Sequence, residues 1–337
     1  MPIILFYVRK VNVFVTTNIS KDNLERIANA DPAVNLTSVA ELYKGERNGD
    51  ADATFKLDAL LPEAEVAFGL NFPDNMIARA HNLKWIQVFL SGIDYFKAKG
   101  LMPEHIVFTK TAGIQGTAMA ESIICCMLMF AKQMPTYFQN KLIRNWGRAE
   151  SITLHGKTLG ILGLGNVGKE LAHLGKAFGM RVIANRRSAK KVGRARNVDL
   201  LLPSSHLHQL LKKSDFVVLT LPLTPDTQKM IGVKEFNAMK NSAYIINISR
   251  GQIIDEDALI EALVSKQIAG AGLDVFAVEP LPLNSVLWDM PNVIISPHVA
   301  ANMDGFPELA TELFCENLRR YINGRKLLNV VDKETGY

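Results

Sequence analysis

Residues Thr158 to Glu170 read T-L-G-I-L-G-L-G-N-V-G-K-E, a glycine-rich segment between an apolar run and a helix-like stretch. In a G-x-G-x-x-G turn of this kind, the first glycine permits a tight turn, the second lets a pyrophosphate approach the backbone, and the third lets the helix pack closely. Amides at the start of the helix point toward the anion. The segment therefore predicts a dinucleotide-binding loop. Its candidate cofactor-binding residues are Gly163, Gly165, Asn166, Val167 and Gly168.

The second predicted strand of this region leads into A-N-R-R-S at residues 184–188. Folds of this type normally place an acid about twenty residues after the glycines, where it binds the ribose hydroxyls of NAD. No carboxylate occurs between Glu170 and Asp199, and guanidinium and hydroxyl groups suit a 2′-phosphate instead. We therefore expect NADP(H) to be the preferred cofactor; if both arginines point into solvent, NAD(H) is also possible. The candidate 2′-phosphate residues are Arg186, Arg187 and Ser188.

Around this loop, short apolar runs alternate with helix-like stretches. A chain of 337 residues is longer than one hydrophobic core usually organises, so two domains are expected. One βα series runs from Val11 to about Thr109, and a second starts at Thr158. The predicted strands are 11–15, 66–68, 85–89 and 106–108 in the first series, and 158–162, 181–184, 216–220, 243–248, 270–275 and 293–296 in the second. A further strand is predicted before the first series, at 3–8. The sequence thus predicts an α/β fold of two Rossmann-like, doubly wound parallel-sheet domains.

Composition and charge exclude several classes of protein. The formal charge of +5 is spread along the chain, so nucleic-acid binding is disfavoured; the basic cluster at 190–196 is interpreted as a solvated loop or a site for an anionic ligand. The longest apolar run, 123–131, is about half the length that spans a bilayer. Cys125, Cys126 and Cys315 have neither disulfide nor metal-ligand spacing. We expect a cytoplasmic protein with no membrane segment.

A long apolar stretch from Thr117 to Gln133 predicts a buried helix with apolar residues almost all round. Such a helix crosses between domains, packs on a partner subunit, or simply belongs to a core.

Polar side chains follow three of the later predicted strands. Arg250 lies in I-N-I-S-R-G, Glu279 lies between Gly272 and Pro280, and His298 lies in S-P-H-V-A-A. Because the carboxyl ends of parallel strands meet at the ligand-binding edge, we expect these side chains to be close together. A 2-keto acid needs its carboxylate held, its carbonyl polarised and protonated, and its C2 placed against the nicotinamide. Arg250, Glu279 and His298 are therefore the candidate catalytic residues.

Four segments, in order and over nearly the whole chain, resemble the D-isomer-specific 2-hydroxyacid dehydrogenase family, in particular glyoxylate/hydroxypyruvate reductases. They are 155–168, 221–227, 247–255, and 272–280 with 296–300. The resemblance implies that Arg250 binds the substrate carboxylate and carbonyl oxygen, that His298 donates the proton, and that Glu279 hydrogen-bonds His298. It also implies that Asp274 binds the nicotinamide carboxamide. The further cofactor-binding residues that it implies are Leu221, Pro222, Thr227, Ile248, Ser249, Asp274, His298 and Ala300.

The resemblance further implies a substrate domain split into residues 1–113 and 301–337, with the dinucleotide-binding domain, 114–300, inserted between them. Its substrate-binding residues would be Leu90, Ser91 and Gly92, opposite Arg250 and His298. Members of the family dimerise through the inserted domain, so we expect a homodimer. The expected reaction is hydride transfer from NADPH to C2 of a small 2-keto acid, giving the D-2-hydroxy acid. Glyoxylate and hydroxypyruvate are the leading substrates, and bulkier keto acids remain possible.

Other activities on the same fold fit less well. Formate dehydrogenases of this superfamily carry glutamine where this chain has Glu279. Phosphite dehydrogenases are also disfavoured, because the basic second strand offers nothing specific to phosphite. An alternative of another class is a corepressor-like, NAD(P)-sensing binding protein, which turnover of a 2-keto acid would exclude. His206 and His208 lack further ligands at metal-binding spacing, so no metal is expected. For Trp146 and Trp288, simple packing is favoured over a role in shaping a substrate pocket.

Overall fold

The structure is a computed structural model that describes residues 9–93, 96 and 101–333. The strand predicted at residues 3–8 lies outside the described residues. By its internal contacts the chain divides into two compact units. Unit 1 consists of Met1–Ile114 with Asp304–Tyr337, and unit 2 is Gln115–Met303. Unit 2 is therefore an insertion into unit 1.

Unit 1 is built on a five-stranded sheet with the order β2-β1-β3-β4-β5, in which every neighbouring pair is parallel. Its strands are β1 (Val11–Val15), β2 (Val34–Ser38), β3 (Val66–Gly69), β4 (Trp85–Val88) and β5 (Val107–Lys110). Its helices are α1 (Lys21–Ala28), α2 (Ala40–Arg47), α3 (Ala51–Leu60), α4 (Met76–Arg79) and, from the C-terminal segment, α11 (Phe306–Ile322). Helix α11 covers one face of the sheet, where the ring of Phe314 stacks on Phe68 with centroids 4.2 Å apart.

Unit 2 contains an eight-stranded sheet with the order β13-β12-β11-β10-β6-β7-β9-β8. Its strands are β6 (Thr158–Leu162), β7 (Arg181–Arg186), β8 (Gly193–Ala195), β9 (Val198–Pro203), β10 (Phe216–Leu219), β11 (Tyr244–Asn247), β12 (Gly270–Leu273) and β13 (Val293–Ile295). Its helices are α5 (Gly116–Ala131), α6 (Met134–Leu142), α7 (Asn166–Ala177), α8 (Leu207–Lys213), α9 (Val233–Ala238) and α10 (Glu256–Val264). The strand order reverses at β6 and β10, so the ligand crevice is expected at the carboxyl ends of these strands.

The predicted fold class is confirmed, because both units are α/β with parallel sheets. Two strands of unit 2 were not predicted. Strand β9 lies beside β7, and β8 pairs antiparallel with β9 at the edge of the sheet. Part of the basic cluster at 190–196 is therefore an exposed edge strand. Charged side chains on an edge strand disfavour pairing with another chain.

The predicted apolar helix is α5, which belongs to the core of unit 2. Ile123, Met127 and Phe130 are buried with residues of β6 and β11. Cys126 lies over Gly272 in β12, and burial raises the pKa of its thiol to about 12. Within the described part of the chain, no helix is long and apolar enough to cross a membrane.

Helix α10 begins after Asp255, a residue type that commonly caps helix N-termini. The Asp255 side chain accepts no capping hydrogen bond from the described residues. Instead its Oδ2 lies 3.2 Å from the Nζ of Lys229. An ion pair with a neighbouring loop thus takes the carboxylate away from the helix amides. At the other end of the chain, Gly324 follows α11 with φ +63°, the left-handed conformation that favours glycine after a helix.

Candidate active site

The glycine-rich loop joins β6 to α7, and each glycine meets a different constraint. Gly163 has φ +98°, which an L side chain rarely adopts. A Cβ on Gly168 would lie 2.2 Å from the carbonyl oxygen of Gly163, so the helix can approach the strand only without a side chain there. A Cβ on Gly165 would meet no heavy atom of the described residues within 4 Å. The space above Gly165 is therefore open to a ligand.

The first turn of α7 is suited to an anion. Its N-cap is Gly165, and no side chain of the described residues caps the helix. The first hydrogen bond to the cap runs from Lys169 N to Gly165 O at 3.0 Å. The amides of Asn166, Val167 and Gly168, which precede it, thus resemble the donors that hold phosphates at helix N-termini. These residues fit the pyrophosphate of a dinucleotide.

The candidate 2′-phosphate residues lie at the carboxyl end of β7 and directly after it. Arg186 is the last residue of β7, and Arg186, Arg187 and Ser188 are all exposed. Asn185, just before them, is buried and accepts a hydrogen bond from Gly163 N at 3.2 Å. The side chain of Asn185 thus ties the end of β7 to the glycine-rich loop. Sequence reasoning did not assign a role to Asn185.

The loop after β10 is held by a threonine. Thr227 Oγ1 donates to Pro222 O at 2.7 Å and accepts from Thr224 N at 2.8 Å. Leu221, at the start of this loop, lies against Gly163. A Cβ added to Gly163 would be 2.9 Å from Leu221 Cδ2. Leu221 is therefore next to the glycine-rich loop, and Pro222 and Thr227 belong to the loop that Leu221 begins, at the carboxyl end of β10.

The turn that presents Arg250 follows β11 and is organised by Asn247. The side-chain oxygen of Asn247 accepts from Ser249 N at 3.0 Å and from Ser249 Oγ at 2.8 Å. Its amide nitrogen donates to Arg250 O at 2.9 Å. Ile248 and Ser249 are buried, and the Arg250 side chain is half-buried with Nη1 donating to Ser249 O at 2.6 Å. An asparagine at the end of a strand that bonds to the backbone two residues on is a recognisable turn signal, which sequence reasoning did not use.

Asp274 organises the loop that carries His298. Its carboxylate is 3% exposed and accepts from Ser296 Oγ at 2.6 Å, Val299 N at 2.9 Å and Ala300 N at 2.9 Å. The backbone of His298 has φ +56°, an uncommon conformation for a residue with a side chain. Such a conformation persists when the surrounding structure over-determines it. The role of Asp274 toward a nicotinamide carboxamide stays a prediction, whereas its contacts to the 296–300 loop are observed.

His298 and Glu279 form a hydrogen-bonded pair. Nδ1 of His298 lies 2.7 Å from Glu279 Oε2, and Glu279 Oε1 accepts from Phe276 N at 3.0 Å. The side chains are 49% and 35% exposed in the single chain. Both oxygens of the carboxylate are thus engaged, and Nε2 of the imidazole remains as the ring nitrogen for a ligand. Arg250, Glu279 and His298 all follow the carboxyl ends of β11, β12 and β13, which are neighbours in the sheet.

The predicted substrate loop lies in unit 1, after β4. Leu90 and Ser91 are exposed and Gly92 is half-buried. Leu90 O accepts from Thr111 N at 2.9 Å, and Phe89 N donates to Gly69 O at 2.8 Å, which fixes the start of the loop on the sheet. The role of these residues in holding a carboxylate stays a prediction.

The two histidines of the H-x-H segment do not form a metal site with the residues that the structure describes. Among these, no group of three or more histidine, cysteine or acidic side chains is placed to hold a metal ion. His208 Nε2 lies 3.0 Å from Glu235 Oε1. Burial raises the pKa of Glu235, but the hydrogen bonds from His208 and from backbone amides outweigh it and lower the pKa below its ordinary value.

The two tryptophans differ from the expectation that both pack. Trp146 is 95% exposed, because it lies in an irregular segment after α6 rather than against a core. Trp288 is half exposed, and its Nε1 donates to Pro282 O at 3.0 Å.

Comparison with known proteins gives a family match. Residues 124–300 match the sequence profile described as "D-isomer specific 2-hydroxyacid dehydrogenase, NAD binding domain". A D-3-phosphoglycerate dehydrogenase from Methanocaldococcus jannaschii is 31% identical over 96% of this chain, which covers 59% of that relative's length. A glyoxylate/hydroxypyruvate reductase B from Pectobacterium carotovorum is 36% identical over 71% of this chain and 76% of its own.

Solved structures share the fold over almost the entire chain. An NADPH-dependent glyoxylate/hydroxypyruvate reductase from Sinorhizobium meliloti, in complex with NADP and sulfate, superposes with a TM-score of 0.81. It is 27% identical in sequence, and the match covers 97% of this chain and 100% of the other.

Proposed function

The chain belongs to the D-isomer-specific 2-hydroxyacid dehydrogenase family, and from that premise we propose that it is an NAD(P)-dependent reductase of small 2-keto acids that prefers NADPH. The products would be D-2-hydroxy acids, and glyoxylate and hydroxypyruvate are the leading substrates. The observation that carries the proposal is the 2.7 Å hydrogen bond between His298 Nδ1 and Glu279 Oε2, at the sheet edge that also presents Arg250.

The cofactor, when bound, supplies the hydride to C2 of the keto acid. The glycine-rich loop and the first turn of α7 would hold its pyrophosphate. Asn185, Leu221 and Thr227 shape the same crevice by their contacts with that loop or within the loop after β10. The chain's own residues then bind the substrate and move one proton.

His298 is the proposed general acid. In the imidazolium form, Nδ1–H donates to Glu279 and Nε2–H is available to the carbonyl oxygen of the substrate. Transfer of the Nε2 proton to that oxygen completes the hydroxyl group and leaves neutral imidazole, with Nδ1 still protonated and held by Glu279. The carboxylate thereby fixes the tautomer and the orientation of the ring.

Arg250 is the proposed anchor for the keto acid. A guanidinium donates through a planar fork, which matches a carboxylate bidentately and can also polarise the neighbouring carbonyl. The turn built by Asn247 fixes the backbone from which this side chain projects. In unit 1, Leu90, Ser91 and Gly92 are proposed to bind the substrate through backbone amides.

The preference for NADPH rests on the end of β7. The exposed side chains of Arg186, Arg187 and Ser188 follow the strand where an acid would exclude a 2′-phosphate by charge. The homologue from S. meliloti is described as NADPH-dependent. Both observations support the same proposal.

An initial-rate panel tests the function. Purified protein is assayed with NADPH or NADH against glyoxylate, hydroxypyruvate, pyruvate, a branched keto acid and phenylpyruvate. We expect turnover with a higher kcat/KM for NADPH, and the highest rates with glyoxylate and hydroxypyruvate. Absence of turnover with every combination would overturn the proposal and favour the corepressor-like binding protein.

The same panel is run on the double variant Arg186→Ala/Arg187→Ala. Loss of charge-assisted hydrogen bonds to a phosphate is expected to lower kcat/KM for NADPH about ten-fold or more, while the value for NADH changes little. Arg181→Ala is the matched control, because Arg181 is exposed at the opposite end of the same strand. An equal loss with both cofactors would contradict the 2′-phosphate assignment.

We further propose that the protein is a homodimer formed through unit 2. Exposed apolar side chains cluster on α6 and the segment after it. A contiguous apolar patch on a protein surface marks an interaction site. They are Phe138 at 49% exposure, Leu142 at 77%, Ile143 at 73% and Trp146 at 95%. A second copy of the chain is the occupant that the family resemblance suggests.

Light scattering coupled to size exclusion tests this proposal. The wild-type protein is expected at twice the chain mass, and Leu142→Asp/Trp146→Asp is expected to shift it toward the monomer, because two buried carboxylates would lack partners. Val264→Asp, at a residue 69% exposed on α10, controls for added charge elsewhere on unit 2. A monomeric wild type would contradict the proposal.

A further inference from the structure

The backbone of Ala277 is bound at both its N–H and its carbonyl oxygen by side chains from the segment that follows Arg250. Its N–H donates to Glu256 Oε2 at 3.1 Å. Its carbonyl oxygen accepts from Gln252 Nε2 at 2.9 Å. Gln252 lies in a short 3-10 helix and Glu256 in the first turn of α10, and both are half-buried. Two separate side chains therefore hold the two peptide groups that flank Ala277, in a loop without regular structure.

The backbone of the two segments is also packed as closely as it can be. A Cβ on Gly251 would lie 1.9 Å from the carbonyl carbon of Phe276 and 2.5 Å from Ala277 N. Only a glycine lets the chain after Arg250 touch the loop after β12 at this point. The two hydrogen bonds from Gln252 and Glu256 to the Ala277 backbone form a clamp. This clamp and the contact at Gly251 together set the path of the loop from Asp274 to Glu279.

That loop ends at the carboxylate that holds His298. Phe276 N donates to Glu279 Oε1 at 3.0 Å, so the residue next to Ala277 bonds directly to the carboxylate. The other oxygen, Oε2, lies 2.7 Å from His298 Nδ1. A continuous series of contacts thus runs from Glu256 and Gln252, through the 276–277 backbone, to Glu279 and His298.

We propose that Glu256 and Gln252 are positioning residues for the Glu279–His298 pair. They hold the backbone of Ala277, and through it the Glu279 carboxylate, in the orientation that presents the His298 ring to the substrate. This inference rests on the proposed reductase function. It predicts an effect on the chemical step, since neither residue lies in the glycine-rich loop or at the end of β7.

Single variants give the first test. Glu256→Ala and Gln252→Ala are each expected to lower kcat for keto-acid reduction about ten-fold, because small misplacements of a proton donor are costly. KM for the keto acid and the Kd of NADPH, measured by fluorescence titration, are expected to stay within about two-fold of wild type. Glu256→Gln is expected to restore kcat, because its amide oxygen still accepts from Ala277 N.

Asp257→Ala is the matched control. Asp257 is the other acidic residue in the first turn of α10 and is exposed, so the variant removes the same favourable charge at the helix N-terminus without touching the clamp. It is expected to have wild-type kcat. Melting temperatures of all variants separate a loss of folded protein from a loss of turnover.

A double-mutant cycle with Glu279→Ala decides whether the effect passes through the carboxylate. If Glu256 acts through Glu279, Glu256→Ala lowers kcat little further in the Glu279→Ala background. An equal fractional loss in both backgrounds, wild-type kcat in Glu256→Ala, or no recovery in Glu256→Gln would overturn the proposal. Absence of turnover in the wild-type protein would instead count against the reductase function itself.

Discussion

His298→Ala is expected to lower kcat for keto-acid reduction by about 10²–10⁴, the range that a positioned general acid contributes. The methyl group of alanine can neither donate a proton to the carbonyl oxygen nor bond to Glu279, whose Oε2 lies 2.7 Å from Nδ1 in the wild-type structure. Steady-state rates with NADPH and the best keto acid of the panel measure the loss. KM for NADPH should change much less, because the glycine-rich loop is untouched.

Two further variants serve as a control and as a test of the Glu279 charge. His206→Ala removes an exposed histidine whose Nδ1 lies 3.2 Å from Ser205 Oγ, and it should leave kcat unchanged. Glu279→Gln keeps the size of the side chain but removes its charge, so kcat is expected to fall by less than in His298→Ala. Turnover near the wild-type level in His298→Ala would remove the general acid from the mechanism.

Arg250→Ala is expected to lower kcat/KM for the keto acid by about 10³-fold or more, through a higher KM and a lower kcat together. One guanidinium is proposed to bind the carboxylate and to polarise the carbonyl, so its loss affects the bound ground state and the transition state. Full progress curves over a wide range of keto acid concentration separate the two parameters. A change in KM alone would mean that Arg250 binds the substrate without assisting the reaction.

Arg250→Lys sharpens the interpretation. Lysine keeps the positive charge but lacks the planar fork, so it is expected to recover only part of the lost kcat/KM. Arg194→Ala serves as the control for loss of a cation, since Arg194 is exposed on the edge strand β8. We expect Arg194→Ala to have the wild-type kcat/KM for the keto acid.

Most of the strands that the sequence predicted correctly have largely buried apolar runs, although β13 is only half-buried. β6, β10 and β11 are buried along nearly all of their length, and their patterns are continuous. Strand β2 was missed, because V-N-L-T-S lies at the edge of its sheet with mixed exposure and contains only two large apolar residues, too few for a distinct apolar run. β8 was missed because its basic residues resemble those of a solvated loop until β9 provides its partner.

The candidate site shows a similar division. The residues proposed to contact ligands follow strand ends and have distinctive chemistry, so the sequence was enough to select Arg250, Glu279 and His298. The residues that hold them were not selected, because their roles depend on contacts between distant segments. Glu256 reaches Ala277 across twenty-one positions of sequence, and its place in an acidic helix start explains it equally well without that contact. The fold, and not the sequence, distinguishes a contact with Ala277 from a simple acidic residue at a helix N-terminus.

The insertion of unit 2 into unit 1 has a consequence for biosynthesis. The face of the unit 1 sheet that contains Phe68 and Trp85 is covered by Phe314 and Leu318 of α11. A ribosome therefore synthesises the whole of unit 2, Gln115–Met303, before the C-terminal segment that completes unit 1. Because domains generally fold as units during synthesis, unit 2 is free to fold first, while the apolar face of the N-terminal sheet waits for its last helix. During that interval the nascent chain presents a ready surface to chaperones.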